Sequence, residues 1–370
     1  MKILFITHCH GNYGASRSLQ LLLRNLKGHS IHLVVPRGLR HRNDLDEIRR
    51  FYGDNVEGIR EFYLPFEYCY MGCPDQFMQK AANKLHNLTY ECASNGIKEY
   101  MASGKFEIIH LNAPVLYPLI SPALPFIVHM RDVMLMDQAS AVEKVLQAKG
   151  VIFIDKGTRE PFKDLPLKND IILNNPFDMS YLERGYDDVK ILSEYGLAKE
   201  NLIFSCIGRI KESKGVKFIV ENFRKVKGDN KILLIFGIGD KGSNYESDCR
   251  KVAGNDPRIR FMGEEADIAK VFMISDYIIR GDPWHLIGRT VFEGLYAGCD
   301  VILPGSLSDV DQNPDLKGFS AKVHLYEARN AEDLAVKIGN LTEKIKERTF
   351  RSNVEGYVEK FEQFIKKMII

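Results

Sequence analysis

"NLIFSCIGRIKESKG", residues 201–215, decides the fold. Leu202 to Ile207 is an almost unbroken apolar run, the pattern of a strand buried on both faces. Gly208, a charged loop and a helical pattern over 215–226 follow. The chain opens in the same way. "KILFITH" (2–8) leads through "HCHGNYGAS" into "SRSLQLLLRNL" (16–26), where Leu19, Leu22, Leu23 and Leu26 share one helical face. A pattern that begins at residue 2 and begins again at 201 predicts two α/β units laid end to end, each a parallel sheet covered by helices.

The other elements extend both units. "SIHLVVP" (30–36), "EIIHLNA" (107–113), "PFIVHMRD" (125–132), "VIFID" (151–155) and "DIILNN" (170–175) are strand-like, with a helical stretch over 76–102. In the second unit come "KILLIFGIG" (231–239), "IRFMG" (259–263), "DYIIR" (276–280) and "DVILP" (300–304), separated by helices. The join is expected near 174–188, where Pro176 and Gly185 break the periodicity. "NVEGYVEKFEQFIKKM" (353–368) is an amphipathic helix with no strand after it.

A length of 370 residues suits two domains. The composition, 45% hydrophobic and 27% charged with a net charge of +2, is that of a globular protein and carries no domain-wide basic excess. No nucleic-acid partner is expected. No apolar run reaches the ~18 residues of a membrane span, and the first apolar run is too short for a signal peptide. The expectation is a cytoplasmic protein, at most peripheral on a membrane. The seven cysteines form no C-x-x-C pair. Cys69 and Cys73 lack companions for a zinc site, so idle thiols in a reducing compartment are expected.

In parallel sheets, ligands sit beyond the carboxyl ends of the strands. Beyond the first strand, Gly11 and Gly14 flank a turn into a helix with Ser16 as its cap; the spacing is not that of a dinucleotide fingerprint. Beyond residue 207, Arg209 offers a fork of donors and Lys214 a mobile charge just ahead of a helix. Solvated loop cations would look the same. The stretch "GDPWHLIGRTVFEGLYAGCDVILPG" (281–305) reads as loop, helix and strand. Free amides of Gly288, Arg289 and Thr290 suit a phosphate. Glu293, one turn in, suits ribose hydroxyls, or else complements the helix dipole. Together these describe a nucleoside diphosphate site. Trp284 suits sugar stacking or a core anchor. His8, His10, His32 and His110 read as core or sheet-edge histidines, Arg131 and Asp132 as an ion pair or substrate contacts, and "DVD" (309–311) as a surface loop.

Taken in order, "GRIKESKG", "ILLIFGIGD", "IRFMGEE", "SDYIIRGD" and "LIGRTVFEGLYAGCDVI" resemble the nucleotide-binding half of glycosyltransferase family 4, the retaining group 1 enzymes of GT-B fold. The first unit is similar to that family through "GASRSL", "EIIHLNA", "VHMRD" and "IILNNPFD". The resemblance implies two Rossmann-like domains facing each other across a cleft. Residues 1–178 would form the acceptor-side domain, joined by a returning C-terminal helix at 355–370, and 179–354 the nucleotide-sugar domain. It implies that Arg209 and Lys214 grip the diphosphate, Glu293 the ribose, and the loop from Gly288 to Thr290 the distal phosphate and donor sugar. "IRFMG" would supply backbone groups to the base. Gly14 would lie in the loop closing on the donor, and His129 would face the donor sugar as the catalytic group.

The implied reaction moves a sugar from a UDP- or GDP-sugar to a glycan or lipid-linked acceptor with retention. It needs no metal or cofactor and belongs to bacterial-type surface polysaccharide synthesis. One departure stands out. The family places two glutamates eight residues apart; here the second is Glu293 and the earlier slot holds His285. That leaves two rivals: a nucleotide-sugar-binding protein impaired in turnover, and a nucleotide-sugar epimerase on the same frame.

Overall fold

In the computed structural model the chain divides into two compact units, Met1–Pro176 with Asn353–Ile370, and Phe177–Ser352. The structure describes residues 1–11, 13–37, 43–65, 77–132, 139–183, 185–240, 242–283, 288–342 and 348–368. Cys69, Cys73, Trp284 and His285 lie outside the described residues.

Unit 1 carries β1 (Lys2–Ile6), β2 (Ser30–Pro36), β3 (Val56–Phe62), β4 (Ile108–Leu111), β5 (Phe126–Met130), β6 (Gly150–Phe153) and β7 (Asp170–Ile172). They pair in parallel in the order β3-β2-β1-β4-β5-β6-β7. Side chains alternate between two buried faces: Leu4, Ile109 and Val128 line one core, Phe5, Ile108 and Ile127 the other. Covering both faces is what turns these strands into continuous apolar runs.

The helix Val354–Lys366 buries Tyr357, Val358, Phe361, Phe364 and Ile365 against the second of those faces. Phe361 stacks on Phe5 at 6.2 Å. The C-terminal helix thus returns to the N-terminal unit. Sequence adjacency could not say so, because the apolar stripe fits either sheet; the fit to this one is set by partners such as Phe5.

The helix Gly14–Asn25 begins at Tyr13, which gives no side-chain cap. Ser16 is not the cap expected of it. It lies buried inside the first turn, its Oγ 3.2 Å from Cys9 Sγ. The helical stretch placed at 76–102 is the 27-residue helix Phe77–Ser103.

Unit 2 carries β8 (Leu202–Ile207), β9 (Lys231–Phe236), β10 (Ile259–Gly263), β11 (Tyr277–Ile279), β12 (Asp300–Pro304) and β13 (Val323–Tyr326). All pairs are parallel, in the order β10-β9-β8-β11-β12-β13. "DVD" is not a loop: it sits in the short helix Leu307–Gln312, where Asp309 accepts bonds from the Ser306 amide and hydroxyl. In both units the first strand is central and the strand order reverses beside it, between β1 and β4 and between β8 and β11. Chain connections diverge at those two points, so a crevice opens at the carboxyl edge of each sheet. No helix among the described residues is long and apolar enough to cross a membrane.

Candidate functional site

At the unit 2 switch point, the segments beyond β8 and β11 meet backbone to backbone. Gly215 adopts φ +60°, and a Cβ there would lie 1.6 Å from the Gly281 carbonyl oxygen. A Cβ on Gly281 would lie 2.4 Å from the Gly215 oxygen. Only paired glycines allow this approach. Its consequence is lateral: Lys214 and Asp282, the neighbours of those glycines, come together, with Nζ 3.5 Å from Oδ1.

Asp282 is 1% exposed and Arg280 5% exposed. They form a two-point fork across Gly281, Nε to Oδ2 at 2.7 Å and Nη2 to Oδ1 at 2.9 Å. The third arm of the fork reaches the next element. Arg280 Nη1 donates to Thr290 Oγ1 at 3.3 Å. A Cβ on Gly288 would lie 2.6 Å from that same nitrogen, so a larger residue at 288 would push the guanidinium aside. Tyr326 holds the arginine's own carbonyl with a 2.7 Å bond.

The helix Arg289–Tyr296 starts above this cluster with Gly288, in extended conformation, as its N-cap. The amides of its first two residues sit at the positive end of the helix dipole, while the Val291 amide bonds to the Gly288 carbonyl at 3.1 Å. Lys214, Arg280 and these amides therefore concentrate positive potential at one point, with Asp282 as the counter-charge. Burial, then the Arg280 charge, lowers the Lys214 pKa, while Asp282 opposes both.

Other expected residues are disposed differently. Arg209 is 62% exposed and donates to Asp240, on the segment beyond β9, at 2.8 Å. Glu293 is buried and accepts from Arg289 Nε at 2.7 Å. The Arg289 guanidinium also lies 4.7 Å from the Phe177 ring centre. The carboxylate one turn behind a cationic helix start thus has a local partner four residues back.

Gly14 is the first residue of the helix Gly14–Asn25. His129 lies within β5, wholly enclosed, its Nδ1 3.2 Å from His110 Nε2. Burial first, then the charges of Arg131 and His110, hold its pKa well below the ordinary value, so the imidazole is neutral. Arg131 feels the charge of the neighbouring Asp132 and has further anchors. Its Nε donates to Asn112 Oδ1 at 2.8 Å and its Nη1 to Asn175 Oδ1 at 2.6 Å.

Arg280 and Asp282 are the site residues that sequence reasoning passed over. "IIRGD" looks like the solvated end of a strand. The available signal was opposite charges two residues apart across a glycine, directly after an apolar strand. A cavity of about 820 Å³ in unit 2, beside Leu307, His324, Tyr326 and Glu327, is lined by none of Lys214, Arg280, Asp282 and Thr290; it shares only Tyr326 with the cluster. Among the described residues no cluster of three or more His, Cys, Asp or Glu is arranged to hold a metal.

Comparison with known proteins matches residues 201–344 to the family described as Glycosyl transferases group 1. No curated protein matches the chain by sequence. Among solved structures, Anabaena HepE in complex with UDP and glucose superposes with a TM-score of 0.69 at 15% identity, covering 100% of this chain and 97% of that one. A glycosyltransferase from Rickettsia africae gives 0.69 at 17% identity, covering 100% and 98%. WaaG, a glycosyltransferase involved in lipopolysaccharide biosynthesis, gives 0.63 at 11% identity, covering 99% and 95%. The chain thus has the two-sheet α/β fold of GT-B glycosyltransferases, and its second unit carries the group 1 glycosyl transferase match.

Proposed function

We propose that this protein is a retaining, metal-independent glycosyltransferase that moves a sugar from a nucleoside-diphosphate sugar to a glycan or lipid-linked acceptor in surface polysaccharide synthesis. One observation carries the reading: Lys214 and the start of the helix Arg289–Tyr296 are brought to one cationic cluster at the carboxyl edge between β8 and β11. HepE, of the same fold, is solved in complex with UDP, which favours a UDP-sugar over a GDP-sugar as donor.

As the bond from the anomeric carbon to the diphosphate breaks, negative charge grows on the leaving phosphate. Lys214 and the first-turn amides meet it with fixed positive potential that needs no reorganisation. Attack by the acceptor hydroxyl on the same face, with its proton passing to the departing phosphate oxygen, balances the step. Arg209 would reach the diphosphate by leaving its exposed pair with Asp240. Glu293 would take the ribose hydroxyls by exchanging Arg289 for them. Gly14 would border the donor, His285 would face its sugar, and His129, enclosed beside His110, would reach that sugar only by a shift of the side chains over it, as a neutral group and not as an acid. Unit 1 would receive the acceptor.

The test is to titrate the protein with UDP and GDP, then to follow release of the diphosphate from UDP- and GDP-sugars. Saturable diphosphate binding with slow hydrolysis of the matching sugar nucleotide is expected. Tight binding with no turnover would favour the impaired binder that His285 suggests. Interconversion of the free sugar nucleotide would favour an epimerase. Binding of neither diphosphate would overturn the proposal.

A further inference from the structure

The Arg280–Asp282 pair needs its own explanation. Both groups are almost fully enclosed. Burying two charges costs desolvation that their attraction repays only with good geometry, and apolar residues of similar size often serve stability as well or better. A strand end that needed only a stable fold would have no use for this pair. Its geometry is nevertheless close to ideal, with two parallel bonds of 2.7 and 2.9 Å.

What the pair touches shows its use. Asp282 Oδ1 is shared by Arg280 Nη2 and the Lys214 ammonium, at 2.9 and 3.5 Å. The remaining arm of Arg280 holds Thr290, in the first turn of the helix Arg289–Tyr296, and packs under Gly288. The pair is therefore a rigid strut between two donors that come from different loops, one beyond β8 and one beyond β11. Lys214 has four rotatable bonds and a point charge, so an anchor is needed to define where its ammonium stands.

We propose that Arg280 and Asp282 are positioning residues: they fix the distance between the Lys214 ammonium and the helix start so that each engages one of two linked phosphates, and so make the site select a diphosphate over a monophosphate. The inference rests on the donor-site reading above. Arg280 and Asp282 act through Lys214 and the helix start, not by touching the donor.

The experiment titrates the full chain and three variants, D282N, R280K and the double variant R280M/D282M, with UDP, UMP, GDP and GMP. For the nucleotide that the parent binds, D282N and the double variant should lose tenfold or more in diphosphate affinity and less than twofold in monophosphate affinity. R280K keeps the charge without the fork and should fall between them and the parent. The double variant leaves no buried charge unpaired, so it decides the matter if D282N does not fold. A folded double variant with the parent's diphosphate-to-monophosphate ratio would overturn the positioning role and leave the donor site standing. A parent that binds no nucleotide would overturn both.

Discussion

Arg131 in unit 1 and Arg280 in unit 2 stand in like places. Each follows the last residue of a parallel strand, β5 and β11, and each is almost enclosed at the carboxyl edge of its sheet. Their partners differ in kind. Arg280 faces a carboxylate, Asp282, which cancels its charge and is shared with Lys214. Arg131 donates to the amide oxygens of Asn112 and Asn175, neutral acceptors that do not cancel its charge. The surroundings register the difference. In unit 1, burial and then the Arg131 charge push His8 down to about 4 and His110 down to about 3. In unit 2 the same kind of residue is part of a cluster whose leftover charge is a half-accessible lysine. A buried arginine is a fixed scaffold in both units, and its partner decides whether the field it makes is spent inside the protein or offered at the surface.

Substitutions and pH test this contrast between the two arginines. Asp282→Ala leaves the Arg280 charge enclosed and uncompensated, which should cost about 3–5 kcal/mol. Hydrogen exchange of the β8 and β11 amides would report it, and protection unchanged from the parent would refute the idea that Asp282 neutralises Arg280. Asn112→Ala removes one neutral acceptor of a charged donor and should cost less, about 1.5–3 kcal/mol, seen in the β4 and β5 amides. An equal or larger loss than for Asp282 would mean that the amides do more than complete the arginine's bonding.

The third measurement is pH. His8, His110 and His129 have folded pKa values below the ordinary histidine value of 6.5. Between 6.5 and those lower values the unfolded chain binds more protons than the folded one. Unit 1 should therefore be fully stable above about pH 6.5 and lose roughly 1.4 kcal/mol per pH unit for each such histidine as the pH falls. Denaturation midpoints of unit 1 amides at pH 7 and pH 5 would show it; coincident midpoints would contradict the burial of neutral histidines around Arg131.

The smallest expected effects on stability lie at the surface cations. Lys214→Ala should shift the melting midpoint little yet weaken diphosphate binding about tenfold, or ~1.4 kcal/mol. Arg209→Ala removes an exposed pair with Asp240, and such pairs contribute about 0–1 kcal/mol. If Arg209→Ala lowered diphosphate affinity more than Lys214→Ala, the weight of the site would move from β11 towards β9.

Much of the architecture could be read from residue order. The apolar runs of β1, β4, β5, β8 and β9 are long enough, and buried enough on both faces, to mark a covered parallel sheet. Lys214 and the loop before Thr290 stood out because both follow strands and precede helices. Ser16 misled because a hydroxyl two residues into a helix and one at its cap look alike until the backbone angles are known. "DVD" misled because two aspartates around a valine fit a short helix as well as a loop once Asp309 can bond back to Ser306. Arg280 and Asp282 were passed over because charge at a strand end is normally solvated, and nothing local says that two loops will close over it.

The order of strands and helices determined that this chain makes two parallel α/β units, since period and apolar run length are properties of neighbouring residues. The glycines at 215, 281 and 288 were visible as letters, but their purpose was not. It takes the folded chain to bring Gly215 against Gly281, Lys214 thereby to Asp282, and Arg280 under Gly288. The first two of those contacts join segments 68 residues apart in sequence at Lys214 and Asp282, and their energy depends on burial and on distances of a few ångströms, which no local pattern encodes.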